Sequence, residues 1–252
     1  MTDLGIFIDP TQSVNIVVLI VLGLVCAAIG YFLGGINCAI LISKIFYKDD
    51  VRNYGSKNAG MTNMLRTYGK GAAAMTLIGD LLKTVIAILI SRILFGESGA
   101  YIAGLGSVVG HIYPCYFGFK GGKGVAAVAA MILCTNPLCF LTLFLIFLAL
   151  VLGYKYVSLG SVMAMMLYPI ILNRLGELDI VPITCSFAVA ILIIWKHKEN
   201  IKRLLNGTEN KIKLSGKKEL PKKESKEADD PNTEAYASEK EKAVSEKDNS
   251  EK

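Results

Sequence analysis

From Val14 to Phe46 the chain is almost wholly apolar, and Gly34-Gly35 with Asn37 interrupts the run. About 20 apolar residues suffice to cross a bilayer. The run is longer than that, so it predicts one long helix broken inside the membrane at Gly34-Gly35. A polar stretch rich in turn formers follows, Tyr47 to Lys70, and reads as a long loop. Apolar runs then recur. A second helix is expected from about Gly71 to Phe95, closed by the turn Gly96-Glu97-Ser98-Gly99, and a third from Ala100 to Tyr113, stopped by Pro114. A fourth runs from about Gly124 to Cys134 and ends at Thr135-Asn136-Pro137. The fifth covers Leu138 to Gly153, the sixth Ser158 to Leu172 and the seventh Ile180 to Trp195. The pattern predicts an all-α integral membrane protein with seven transmembrane helices. The third and fourth are short, so the alternative is five helices plus a short re-entrant pair.

Charge separates these alternatives. With seven crossings, one face carries Lys48, Arg52, Lys57, Arg66, Lys70, Lys120, Lys123, Lys155, Lys196 and Lys198. The other carries Arg174 as its one basic residue, against Asp3, Asp9, Glu97, Glu177 and Asp179. Basic residues mark the cytoplasmic side. The N-terminus is therefore expected outside, and the C-terminus in the cytoplasm. A re-entrant pair would put Lys120 and Lys123 among the acidic loops. No basic residue precedes the first apolar run, so a cleaved signal peptide is not expected.

Composition agrees with the pattern: 53% of the 252 residues are hydrophobic and the mean hydropathy is +0.48. The net charge of +6 combines two regions. Residues 1–214 hold 18 Lys/Arg against 10 Asp/Glu, whereas residues 215–252 hold 9 against 11. Two parts are expected, a membrane domain at 1–213 and a disordered charged tail at 214–252, which has too few large apolar side chains to fold. The six cysteines lie mostly inside apolar runs and form no CxxC pair, which suits small buried hydrophobes and neither disulfides nor a metal site.

Three polar clusters carry the candidate chemistry. Lys120-Gly121-Gly122-Lys123-Gly124 joins flexible backbone and two cations to the start of an apolar helix at Val125. It reads as a phosphate cradle at a helix N-terminus or as a cytoplasmic turn. Gly55-Ser56-Lys57-Asn58-Ala59-Gly60-Met61-Thr62-Asn63-Met64-Leu65-Arg66 supplies hydroxyls, amides and an arginine able to hold phosphate or glycerol oxygens, or is an ordinary polar loop. After the seventh helix, Ile201, Leu204 and Leu205 fall at helical spacing, which predicts a short amphipathic helix on the membrane surface, with His197 and Asn200 on one face. Asp80 and Lys83 lie inside the second helix, as an ion pair that fixes packing or as chemistry. His111, near the cytoplasmic end of the third, is a site residue or a packed helix-end histidine. The sequence lacks GxxxxGK[ST], HExxH, GxSxG and a His-x4-Asp pair. With these loops a membrane enzyme would work by positioning and charge.

In order and spacing the three clusters resemble the bacterial acyl-phosphate:glycerol-3-phosphate acyltransferase family, the integral-membrane PlsY type. The resemblance covers roughly residues 14–213. Its first motif is similar to Ser56 through Asn63 with Arg66, its second to His111–Pro114 with Phe119–Ala126, and its third to His197–Leu205 with Glu209. Three positions depart from it: Lys57 and Ala127 stand where glycine and threonine are usual, and Asn37 where proline is. The resemblance implies acyl transfer from acyl-phosphate to the 1-hydroxyl of glycerol 3-phosphate, with no cofactor and no metal. It implies catalytic roles for Ser56, Asn58, Thr62, Arg66, His197 and Asn200. Substrate binding would fall to Lys120, Gly121, Gly122, Lys123, Gly124, His111 and Glu209. Expected partners are the two substrates and membrane lipid, with no nucleic acid, and a monomer suffices. A small anion transporter and a membrane scaffold are the rival classes.

Overall fold

A computed structural model describes residues 15–212, and their regular structure is entirely helical. The polar leader and the charged tail lie outside the described residues. The α-helices are α1 (Ile16–Gly35), α2 (Cys38–Tyr47), α3 (Met61–Tyr68), α4 (Lys70–Ile112), α5 (Val125–Thr135), α6 (Pro137–Tyr154), α7 (Val157–Arg174), α8 (Ile180–Lys196) and α9 (Lys198–Leu205). Four stretches are long and apolar enough to cross a membrane: Ile16–Tyr47, Lys70–Phe117, Pro137–Tyr154 and Val157–Arg174. The α8–α9 pair, bent by 56°, makes a fifth if it counts as one span. Large side chains such as Leu24, Ile93 and Leu145 are exposed, as lipid-facing positions require.

The long helix α4 folds back on itself. Phe95 and Gly96 leave helical geometry, Gly96 at φ +57°. Thr84 and Ser107 share a hydrogen bond of 2.7 Å, and Lys83 reaches His111 at 3.0 Å. Only an antiparallel pair of arms brings those residues together. The expected turn at residues 96–99 thus shrinks to a kink, and helix resumes almost at once. The second arm runs alongside α1 in the same direction, since Gly30 meets Ala103 and Gly34 meets Ser107. A methyl group on Gly34 would overlap the Ser107 carbonyl, so the two backbones lie in direct contact.

The expected break at Gly34-Gly35 is present but falls just after the glycines. Those glycines stay helical and serve close approach. The chain leaves the helix at Ile36, and Asn37 begins α2, its Oδ1 accepting from Ile40 N at 3.1 Å. The same amide offers Nδ2 to the Ala59 carbonyl at 3.4 Å. Asparagine can therefore stand at a usual proline position: it caps the new helix and ties down the loop that follows. That loop is not wholly irregular either. It contains a short 3-10 turn at Val51–Asn53 and the whole of α3.

The main core lies between the second arm of α4 and α5–α8, around Tyr101, Val108, Met131, Tyr168, Leu172 and Ile193. All six cysteines are free thiols.

Candidate active site

Contacts gather the three clusters at one end of the bundle. The segment 51–63 is shaped by Asn63, which is buried. Its Nδ2 donates to the carbonyls of Val51 and Tyr54, each at 3.0 Å, and its Oδ1 accepts from Ser56 N at 2.9 Å. The side chains of Ser56, Asn58 and Thr62 have no hydrogen-bond partner among the described residues, and Ser56 is exposed. Lys57 sits at φ +55°, a left-handed conformation that disfavours side chains. The usual glycine at that position thus has a backbone reason, and Lys57 is exposed instead of crowded.

The glycine loop is held from both sides. Arg52 donates to the carbonyls of Phe117 and Lys120 at 3.0 and 2.9 Å. Asp50 orients it through a two-point pair, Nε to Oδ1 at 2.9 Å and Nη2 to Oδ2 at 2.7 Å. That guanidinium holds the Asp50 carboxyl below the usual range. Beneath the loop, Gly121 N donates to Ile112 O and Gly122 N to His111 O, both at 3.1 Å. A methyl group on Gly122 would overlap His111 Nε2 and the Ala59 carbonyl. These two amides therefore do not cradle an anion. The glycines let the loop lie flat on His111 and on the first cluster. Amides that remain for a ligand are those opening α5, where a helix start leaves donors unpaired.

His111 itself is buried, against Lys83 at 3.0 Å and Asp80 at 3.5 Å. Asp80 and Lys83 pair at 2.7 Å.

Lys123 extends to the third cluster. Its Nζ donates to Asn200 Oδ1, and Asn200 Nδ2 donates to Glu209 Oε1 at 2.6 Å. Glu209 also accepts from Ser158 at 2.8 Å and from Arg203 Nε at 2.7 Å. Burial raises its pKa, but the bonds from Asn200, Ser158 and Arg203 outweigh burial and hold it low. Glu209 is thus spent on orienting Asn200 and is not open to a substrate. Lys123 is lowered to about 8, chiefly by burial and then, against the attraction of Glu209, by Arg203, Lys196 and Arg66. The repulsion from Arg66 puts the first cluster within electrostatic reach of the other two. Among the described residues no carboxylate forms an ion pair with Arg66, Lys120 or Lys123.

His197 is buried where α8 ends. Its Nδ1 lies 2.8 Å from the Ile193 carbonyl, an acceptor, so Nδ1 carries the proton and Nε2 the lone pair. Burial, then Lys123, lowers its pKa to about 4.

Lys120 faces elsewhere. It lines an open pocket of about 530 Å³ with Asp50, Arg52, Asn53, Lys57, Phe117, Gly118 and Gly121. The two lysines of the glycine loop therefore serve different surroundings. Sequence reasoning noted Arg52 only as a basic loop residue and Asn63 only as part of the first motif, and it passed over Ser158. Their signal was weak, since each acts on a neighbour through hydrogen bonds that only the fold creates.

The arrangement defines a helical membrane protein with cations from three segments gathered at one end. Comparison makes it particular. The sequence model for glycerol-3-phosphate acyltransferase matches residues 24–207, and the chain belongs to that family. It is 41% identical to the glycerol-3-phosphate acyltransferase of Finegoldia magna over 205 residues, 79% of this chain and 98% of the relative. It is 42% identical to that of Thermoanaerobacter pseudethanolicus over 186 residues, 74% and 93% of the two chains. Among solved structures it is similar to PlsY (YgiH), an integral membrane glycerol 3-phosphate acyltransferase, in two forms. The glycerol 3-phosphate form has a TM-score of 0.72 at 37% identity, covering 76% of this chain and 96% of that one. The lysophosphatidic acid form has a TM-score of 0.69 at 36% identity, covering 76% and 95%.

Proposed function

We propose that this protein transfers an acyl group from acyl-phosphate to the 1-hydroxyl of glycerol 3-phosphate, releasing 1-acylglycerol 3-phosphate (lysophosphatidic acid) and phosphate. The observation that carries this reading is that Lys123, bonded to Asn200, and Arg66, within electrostatic reach of Lys123, come from separate segments and form no ion pair with a carboxylate among the described residues. Cations so placed await an anion. The names of the related structures add glycerol 3-phosphate and lysophosphatidic acid as ligands of that fold. Acyl-phosphate is a mixed anhydride and already activated, so neither a protein nucleophile nor a cofactor is needed.

The chemistry follows from what the residues offer. Lys123, Arg66 and Asn200 hold the phosphate of glycerol 3-phosphate, and Ser56, Asn58 and Thr62 contact the glycerol and the acyl carbonyl. Lys120 and Lys57 hold the second phosphate at the rim pocket. The 1-hydroxyl oxygen attacks the acyl carbon as its proton leaves. The carbonyl oxygen collects charge and is stabilised by amides opening α5. The C–O bond to the leaving phosphate then breaks. His197, lowered to about 4, is a weaker base than a phosphate monoester, whose second pKa is about 6. A substrate phosphate oxygen therefore takes the hydroxyl proton, and positioning does the remainder. With the basic residues of all three clusters at one end, this reading includes seven crossings, the N-terminus outside and the C-terminus in the cytoplasm of a bacterial cell membrane, the membrane domain at 1–213 and the tail beyond it.

The test is purified protein in detergent supplied with both substrates. Lysophosphatidate and phosphate should form in equal amounts, and their absence sinks the reading. Uptake of labelled glycerol 3-phosphate into proteoliposomes would favour a transporter. His197→Ala should retain measurable turnover, whereas complete loss with binding intact would make His197 the base.

A further inference from the structure

Lys83 was free to be a mere packing pair with Asp80. Its surroundings say more. A lysine ammonium has three hydrogens and no lone pair. Lys83 Nζ has three neighbours at bonding distance: Asp80 Oδ1 at 2.7 Å, the Ile36 carbonyl at 2.7 Å and His111 Nδ1 at 3.0 Å. The first two can only accept. The third hydrogen is satisfied only if Nδ1 presents its lone pair. The proton of neutral His111 then sits on Nε2, the atom that lies against Gly122, next to Lys123. His197 has the opposite assignment, with Nδ1–H on Ile193 O and a bare Nε2. These are the chain's only two histidines.

We propose that Lys83 is a positioning residue that fixes His111 as an Nε2–H donor to an oxygen of bound substrate beside Gly122. The Ile36 carbonyl belongs to the break between α1 and α2, where the helix ladder leaves it available. One side chain thus joins that break to the second arm of α4 and to the floor of the glycine loop. Asp80 holds the ammonium in place and accepts from Cys38 N at 3.4 Å. Removing Lys83 would leave Asp80 facing His111 Nδ1 at 3.5 Å. A carboxylate there accepts, so Nδ1 would gain the proton and Nε2 would lose its donor character.

This inference rests on the acyl-transfer reading for its substrate, but the tautomer is read without substrate. The experiment is nitrogen NMR on the full chain labelled with 15N-histidine, the two signals assigned with His111→Gln. The expected spectrum shows a bare Nδ1 and protonated Nε2 for His111, and the reverse for His197. In Lys83→Met the His111 pattern should switch to Nδ1–H, and kcat/KM should fall about 100-fold, the usual loss for one well-placed donor. His111→Gln keeps an N–H donor and should lose far less activity than His111→Ala. A protonated Nδ1 in the unaltered protein overturns the proposal. So does an unchanged tautomer in Lys83→Met, or a switch with kcat/KM within threefold of normal. Should Lys83→Met not fold, the unaltered spectrum and the two His111 variants still decide. A failure of acyl transfer shows in the assay, a failure of this proposal in the spectrum.

Discussion

The two ends of the bundle use polar groups differently. At the end bearing the glycine loop, hydrogen bonds run between segments far apart in sequence: Arg52 to Phe117 and Lys120, Lys123 to Asn200, Ser158 to Glu209, Lys83 to Ile36 and His111. At the other end the main device is Arg92, which pairs with Glu97 at 2.9 Å and donates to the Cys134 carbonyl at 2.7 Å. There the cation is neutralised by its own carboxylate. At the loop end several cations are not. The contrast teaches that counting charges misleads: a cation already paired closes a helix joint, and one held by neutral groups is available to a ligand.

Four measurements press on that contrast, beginning with the largest effect. Gly122→Ala forces His111 and Ala59 apart from the loop. A displacement of about 1 Å at reacting groups costs about 100-fold, so kcat/KM should drop by at least that, with thermal stability changing less than in a core truncation. Lys123 should impose a pH limit. It is protonated below about 8, so kcat/KM should fall as pH rises through that value, and Lys123→Arg should move this limb to higher pH. Between about 8 and its ordinary value of 10.5 the unfolded chain alone retains this proton, so stability should rise with pH in the window where activity falls. A shared direction would break the assignment. Arg92→Met removes bonds from a charged donor and should cost about 1–3 kcal/mol in thermal unfolding, with kcat at 25 °C within twofold of the unaltered protein. A large loss of kcat would erase the difference between the ends. Lys57→Gly should stabilise by about 0.5–1 kcal/mol, since glycine tolerates the left-handed backbone but brings its own entropic cost.

Much of the architecture was legible. Apolar runs located the helices from α4 through α8, because lipid tolerates little else on a helix that faces it. Charge alone predicted that Lys120, Lys123 and Arg66 share an end. What failed was local. Gly34-Gly35 looks like the break itself in sequence, yet the chain leaves the helix at Ile36 and glycine also permits helix contact, which only the partner Ser107 reveals. Helix α3 was hidden because Thr62, Asn63 and Thr67 are weak helix formers, and the Asn63 side chain is taken up by tertiary bonds. At the site, residue type suggested amides turned toward phosphate, whereas the amides of Gly121 and Gly122 are taken by Ile112 and His111. Glu209 was legible as belonging to the site, but not that its oxygens are all engaged.

The backbone contact between α1 and the second arm of α4 also sets a schedule for biosynthesis. Gly34 must wait for Ser107, 73 residues later in the chain. A ribosome adding about 5–20 residues per second takes roughly 4–15 s to make that stretch. During those seconds the glycine face of α1 sits in the lipid without its partner, and the seam forms only after the intervening arm has been inserted.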